Sequence, residues 1–471
     1  MPTLTRRGAA AAAAALATLL AAACAPGSSG DKPESKAPAA VSTDVAKAGN
    51  VTLTVWDQEV QGGQKKQIEE LNKRFEAKYP NVKIKRVSRS FSDLQKTLRL
   101  ALSGGSPPDV VEANQGYASM AQYVKAGMLL PLDSYDQVYG WRKRYPKGLT
   151  DLNSVTQDGK LIGSGNLYGV SLNGEIVGLY YNKEKLAKLG VQPPKSWAEF
   201  DQALATAKGK GEVPIAFGNL EKLPAMQLYG ILQDGVADKE AVRKLVFGSG
   251  GSWTDAPNVQ AAQKLGDWSK KGYFTKDANA VKWDDTPVNF AKGDGVFMFG
   301  GTWWASELND KMKDKVGFML PPPAQAGSPS ATMGGESLPW SITSKSKNPD
   351  VAAAYINFIT SPEAMDVSVE TGNLPALAAP SKQPAGPLLK EVATAWGELS
   401  KNDGITPYLD YATPTFADAF GGPLQELVAG RKPADEVMKA ARRRAGGERP
   451  GPGGAGWGDA RPGRRVRLRQ V

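Results

Sequence analysis

Histidine is absent from all 471 residues. Its absence removes the commonest general base, the usual zinc ligand and any Ser-His or Cys-His nucleophilic pair. Cysteine occurs once, at Cys24, so neither an intramolecular disulfide nor a cysteine-rich metal site can form. The Ala/Leu-rich stretch over residues 9–23 has fifteen residues, too few to cross a bilayer comfortably. No glycine-rich phosphate loop follows the first predicted strand, because Gly62-Gly63 lacks the Gly-x-Gly-x-x-Gly spacing. An excess of positive charge is also missing from the body of the chain. The formal net charge is +10, but residues 442–471 hold nine Arg against two acids, and Arg6 and Arg7 lie in the N-terminal segment. Without these the body carries a net charge of +1, and no nucleic-acid footprint survives.

Hydrophobic content of 41% and 8% aromatics describe a chain with room for two to four domains, each with its own core. At its start, Arg6-Arg7, the apolar stretch 9–23 and Ala21-Ala22-Ala23-Cys24 follow one another. This arrangement resembles a bacterial lipoprotein signal, in which Cys24 would be lipidated and become the first residue. A Leu is commoner three places before the Cys, so Ala21 departs from that pattern, and an ordinary cleaved signal with an incidental Cys is the alternative. Residues 24–49, rich in Pro, Ser, Ala and Lys, read as a disordered tether. At the other end the composition shifts: residues 442–471 have no Lys, whereas the rest of the chain uses 39 Lys and 10 Arg. That tail is expected to be disordered, either as a basic tail or as an out-of-frame reading.

Between these ends, residues 51–55 alternate as a strand ending at Trp56-Asp57-Gln58-Glu59. Ile68, Leu71 and Phe75 mark a helix that Pro80 stops. A second strand (Val82, Ile84, Val87), a helix (Leu94, Leu98, Ala101) and a third strand at Val110-Val111 follow. The order β-α-β-α-β predicts a parallel, doubly wound sheet, with ligands beyond the carboxyl ends of its strands. This rim carries Trp56, Asp57, Gln58 and Glu59, then Asn114 and Gln115. Asn114 and Gln115 could equally serve as a helix cap, and Gln58 and Glu59 as solvated loop residues.

The stretch over residues 167–189 (LYGVSLNGEIVGLYYNKEKLAKL) reads as the strand that leaves one lobe and enters another. Gly190 is placed to end its helix, and Ser196-Trp197-Ala198-Glu199 is a capping box opening the next. A later strand, residues 296–299, ends in Gly300-Gly301-Thr302-Trp303-Trp304. Adjacent Trp after a glycine pair are unusual, and such glycines let the backbone approach something closely. Trp283-Asp284-Asp285 could form an aromatic platform or simply start a helix. Glu336 and Trp340 follow a Pro-rich loop, and Tyr408, Asp410 and Tyr411 form a further aromatic and acidic group. Trp197 and Trp268 sit in helical patterns and read as core.

Several segments, in order, resemble one family. They are Phe75…Tyr79-Pro80-Asn81-Val82, residues 101–111 (ALSGGSPPDVV), 127–132 (GMLLPL), 167–170 (LYGV), 180–184 (YYNKE), 193–200 (PPKSWAEF), 300–303 (GGTW) and 347–359. Together they span residues 51–441 and resemble the extracellular solute-binding proteins of carbohydrate ABC transporters, the maltose-type family. The resemblance implies an α/β, two-lobed periplasmic-binding-protein-like fold. Each lobe is a doubly wound sheet flanked by helices, and hinge crossings near Leu172, Pro323 and Leu377 join them. The lobes expected are 50–172 plus 324–377 and 173–323 plus 378–441. It further implies a carbohydrate held in the interlobe cleft, delivery to ABC permease subunits, no catalysis, no metal and no cofactor. The chain would act as a monomer outside the cell, anchored to the membrane through Cys24, without nucleic acid.

By position, the ligand-facing candidates are Trp56, Asp57, Gln58, Glu59, Asn114, Gln115, Trp283, Asp285, Trp303, Trp304, Glu336 and Trp340. A pyranose offers an apolar face of C–H groups and an equator of hydroxyls, which suits indole plates bordered by amides and carboxylates. The competing class is a secreted glycoside hydrolase or lyase. A hydrolase needs two carboxyls facing one bond, roughly 5–5.5 or 6.5–9.5 Å apart, and adjacent pairs such as Asp284-Asp285 seldom converge on one atom.

Overall fold

Two sheets organise the residues that the computed structural model describes, which are 40–445 with 61 and 380 left out. The strands are β1 (Val51–Asp57), β2 (Val82–Ser88), β3 (Val110–Glu112), β4 (Ser154–Val155), β5 (Asn166–Leu167), β6 (Gly174–Asn182), β7 (Ile215–Ala216), β8 (Phe297–Gly301), β9 (Val316–Met319), β10 (Thr332–Glu336), β11 (Trp340–Ile342) and β12 (Ile405–Thr406). The first sheet has the order β2-β1-β3-β11, and β4 and β5 form a small separate ribbon. β1 runs parallel to β2 and β3, while β11 returns antiparallel with Trp340 opposite Glu112. Val51, Leu53 and Val55 alternate along β1 and pack with Ile68, Leu71 and Phe75 of the helix Gly62–Lys78. Val111 packs with Leu94, Leu98 and Leu102 of the helix Phe91–Ser103 in a second cluster. Helices in two separate apolar clusters on one parallel sheet make it doubly wound.

The second sheet has the order β12-β10-β6-β8-β7, with β9 also paired to β6. All nine residues of β6 are buried. Val177, Leu179 and Tyr181 enter one apolar cluster, and Ile176 and Tyr180 another. This is the period-two alternation of a strand covered on both faces. Phe200, Leu228 and Leu265, from three different helices, build the first cluster, and Leu308 and Leu388 contribute to the second. Local signals act as their chemistry requires. Gly190 takes φ 67° to end the helix Lys183–Leu189, and the Ser196 hydroxyl accepts from the Glu199 N–H at 3.2 Å. Glu199 in turn accepts from the Lys195 N–H at 2.7 Å, one residue before the cap itself.

The connecting segments between the sheets are tied to one another. The Gln67 amide donates to Asn173 Oδ1 (3.0 Å) and Ser368 Oγ (2.6 Å), and accepts from Asn173 Nδ2 (3.0 Å) and Asn373 Nδ2 (2.9 Å). Backbone bonds join Gly174 N to Leu374 O, Ala376 N to Leu172 O and Ser337 N to Asn173 O. A buried amide with its donors and acceptors matched in this way fixes the geometry of the crossing.

Two boundaries differ from the sequence reading. Residues 324–336 were expected in the first lobe, but β10 is a strand of the second sheet, with Glu336 opposite Gly174. The reason lies in β6, whose partner β9 reaches only residues 179–182 and leaves the edge at 174–176 for β10. The crossing therefore falls at residues 337–339, not near Pro323. The expected tether also ends earlier: a single turn at Val45–Ala48 buries Val45 against the first lobe, with Val41 beside it. Asn81 Nδ2 donates to the carbonyls of Val45 and Gly49 at 2.9 and 2.8 Å, so this stretch is docked. The last helix, Ala434–Ala445, passes the expected boundary at 441. Cys24, the signal stretch and residues 446–471 lie outside the described residues.

Candidate functional site

Between the two sheets lies a cavity of about 670 Å³, part of it open to solvent. The first lobe lines it at the carboxyl ends of its strands, with Gln58 after β1, Phe91 after β2, and Asn114 and Gln115 after β3. Gln64 and Leu338 border the same wall. The second lobe supplies Glu175 from β6, Glu336 from β10, Leu223, Gln227, Trp283, Asp284 and Trp303, and Tyr408, Asp410 and Tyr411. The lobes touch across it: Asn114 Nδ2 donates to Asp410 at 3.2 Å, and the Tyr411 hydroxyl donates to Gln115 Oε1 at 3.2 Å. The rings of Phe91 and Trp283 meet edge to face at 6.4 Å.

The aromatic wall is explained by the glycine pair. A Cβ on Gly301 would overlap three carbons of the Trp303 six-membered ring, and one on Gly300 would lie 2.7 Å from the Trp304 ring. Both indoles thus fold back onto bare backbone. Trp283, Trp303 and Trp304 stand mutually near perpendicular, with centroids 5.6–5.9 Å apart. Trp304 is sealed at 1% exposure and supports the two half-buried rings that face the cavity.

Three carboxyls in the wall are strongly perturbed. Burial pushes Glu175 up to about 8, with the Glu59 charge adding to the effect. Burial likewise pushes Glu336 up to about 8, opposed by its hydrogen bond from Asn153 and by the nearby polar groups of Ser171 and Gln115. Burial raises Asp410 to about 6, opposed by its bond from Asn114. Desolvation penalises the charged form, so at neutral pH the two glutamic acids retain a proton and can both donate to and accept from a ligand.

Of the twelve expected ligand-facing residues, Gln58, Asn114, Gln115, Trp283, Trp303 and Glu336 line the cavity, and six do not. Trp56 packs on a core cluster of the first lobe with the Arg89 guanidinium 4.0 Å above its ring. Asp57 points to the opposite face of β1, fully buried in a bidentate pair with Arg86 at 2.7 Å. Glu59 is 1% exposed, with both carboxyl oxygens lacking a partner among protein donors. It is pushed up to about 7, chiefly by burial, and neighbouring Glu112 is raised well above its usual range by burial and by the Glu59 and Asp57 charges. Burial and mutual repulsion favour the protonated form at the Glu59–Glu112 pair. Asp285 is exposed at the start of the helix Asp285–Ala291. Trp304 and Trp340 are core residues at 1% and 0% exposure; the three-residue strand β11 is buried throughout, and Trp340 meets Tyr355 there.

The displaced acids still serve the site. Arg86 donates to the Glu59 carbonyl (2.5 Å), Glu112 accepts from the Gln58 N–H (2.7 Å), and Asp57 accepts from the Glu59 N–H (3.0 Å). The turn presenting Gln58 is therefore held from below. Sequence reasoning missed Gln64, Phe91, Glu175, Leu223, Gln227 and Leu338. Only Glu175 carried a signal, as a lone acid in an apolar strand. No group of three or more acids or cysteines among the described residues could hold a metal ion.

Comparison with known proteins places this geometry. Residues 61–366 match the family model of the bacterial extracellular solute-binding proteins. An uncharacterised ABC transporter extracellular-binding protein of Pyrococcus horikoshii is 27% identical over 393 residues, covering 81% of this chain and 83% of that one. The multiple sugar-binding protein of Streptococcus mutans is 22% identical over 303 residues, covering 63% and 69%. A chitin oligosaccharide binding protein of known structure shares the fold with a TM-score of 0.72 at 24% identity, over 84% of this chain and 98% of that one. With the match covering well over half its length, and two lobes enclosing an aromatic and polar cleft, the chain belongs to the bacterial extracellular solute-binding proteins.

Proposed function

We propose that the protein binds a carbohydrate, an oligosaccharide in particular, in the interlobe cleft and hands it to an ABC permease for import. The observation that carries this reading is the wall itself. Trp283 and Trp303 present indole surfaces to the cavity, with Phe91 opposite Trp283, and Gln58, Gln64, Asn114, Gln115 and Gln227 border them with amides. Aromatic faces match pyranose C–H surfaces, and amides supply both donors and acceptors to hydroxyls. Relatives named for sugar binding support the same class. Members of the family are binding proteins, and we read this chain as non-catalytic. The hydrogen-bonded crossing at Gln67 suits a hinge, and a ligand favours closure only by binding the closed state better than the open one. Anchoring through a lipid on Cys24 is supported by the charged and apolar pattern before it, and the chain is read as a monomer.

Calorimetric titration against mono-, di- and trisaccharides tests the reading. We expect saturable binding of at least one oligosaccharide, and Trp303→Ala should weaken it by about 1–2 kcal/mol, the scale of a lost aromatic contact. Unchanged affinity would remove Trp303 from the site, and turnover of a glycan would favour a hydrolase.

A further inference from the structure

We propose that the preferred ligand carries a positive charge: an oligosaccharide bearing a free, ionised amine, held with that amine against Glu175, Glu336 and Asp410. This inference rests on the reading of the cleft as a sugar site and narrows its substrate class. Its basis is the one-sided make-up of the cavity wall, whose glutamic acids give up their protons to solvent when a cation stands beside them. Four acids line the cavity, and no Lys or Arg does, in a chain that has no His.

The partners of the inner three acids are neutral. Glu336 accepts from Asn153 Nδ2 at 2.6 Å, Glu175 from Gln64 Nε2 at 3.5 Å, and Asp410 from Asn114 Nδ2 at 3.2 Å. Two unpartnered atoms, one of them outside the acids, point to a ligand. Glu336 is 2% exposed, yet its Oε2 is buried with no hydrogen-bond partner; the Tyr408 hydroxyl, on a residue 9% exposed, is likewise buried and partnerless. Both side chains line the cavity. Native proteins leave few buried polar atoms unpaired, and those at a cavity wall await a partner from outside the chain.

Glu175 on β6 and Glu336 on the paired strand β10 both reach the cavity wall where the two strands meet. Asp410 lies beyond Tyr408 on the turn at Leu409–Tyr411. A neutral sugar can meet protonated acids here, but it cannot compensate them once ionised. An ammonium group can, with charge-assisted hydrogen bonds that gain strength where water is excluded. The indoles of Trp283 and Trp303 further favour a cation near their faces. By the same account an anionic sugar, such as a uronate or a sugar phosphate, finds no counter-charge in the cavity lining.

Matched glycans test the inference. A panel of neutral oligosaccharides is titrated alongside pairs of equal length and linkage that differ at one substituent. The β-1,4 oligomers of glucose, glucosamine and N-acetylglucosamine form one such set, with hydroxyl, ammonium and acetamide at the same carbon. The expected result is an amine-bearing member binding at least tenfold tighter than its neutral counterparts. Glu336→Gln and Glu175→Gln, neutral replacements of equal size, should shrink that ratio to near unity. A neutral glycan that binds as tightly as or tighter than its amine counterpart would overturn the inference while leaving the sugar reading intact. An unchanged ratio in both Gln variants, with thermal unfolding confirming that each is folded, would overturn the assignment to these acids. Failure of every glycan, charged or neutral, would overturn both readings.

Discussion

Adding a single methyl group at Gly301 should disable the cleft without disturbing the fold. The backbone there is extended, at φ −82° and ψ 160°, so alanine meets no conformational penalty. Its Cβ would, however, fall inside contact distance of Cζ3, Cη2 and Cε3 of Trp303. The ring must therefore rotate out of the position where it faces the cavity and abuts Trp283. An aromatic pair is worth about 0.5–1.5 kcal/mol beyond its buried area. Losing the stacking plate should accordingly raise the dissociation constant for the best glycan about two- to tenfold, since 1.4 kcal/mol is one decade. Gly300→Ala is the contrasting variant, because its Cβ meets the buried Trp304 at 2.7 Å. Overpacking there should lower stability by about 1–3 kcal/mol. Calorimetry and thermal unfolding on both variants separate the two effects. Wild-type affinity in a folded Gly301→Ala protein would refute the role given to Trp303.

Three further outcomes follow from the charged interior. Glu175 and Glu336 stand near 8 in the folded chain against the usual 4.5, so between these values the native state keeps protons that the unfolded chain has lost. Their contribution to stability is therefore full below about pH 4.5 and is lost as pH rises toward 8, by up to about 1.4 kcal/mol per pH unit for each group. The ligand-free protein should melt at a lower temperature at pH 8 than at pH 5.5, and Glu336→Gln should flatten that trend. A melting temperature that rises over this range would contradict it. Arg86→Met strands Asp57, Glu59 and Glu112 with no cation and should destabilise by about 3–5 kcal/mol in urea unfolding; a loss below 1 kcal/mol would show the network to be hydrated.

Much of the architecture was legible because it depends on local pattern. Val51, Leu53 and Val55 alternate, and Ile68, Leu71 and Phe75 recur at helical spacing, so the β-α-β-α-β order of the first lobe could be read directly. The sheet to which Thr332–Glu336 belongs could not, because that is decided by the free edge of β6 more than 150 residues away. The site shows the same division. The strand-end rule pointed to a rim whose Gln58, Asn114 and Gln115 border the cavity, but β-strand alternation turned Asp57 inward to Arg86, a one-residue difference in facing that composition cannot express. Trp303 and Trp340 are chemically identical, and only tertiary packing decides that one faces the cavity while the other fills the first lobe. Phe91 and Gln64 had no signal, since a helix-starting aromatic and a helical amide occur everywhere in such chains.

A crystal structure of the protein with its tightest-binding glycan tests the central claim most directly. The account predicts a sugar ring lying against Trp303 and Trp283 between the lobes, with polar groups of the ligand within hydrogen-bond distance of Glu336 and Gln115. A glycan bound on either lobe's outer surface, with the Trp303 face left in contact only with solvent, would contradict it.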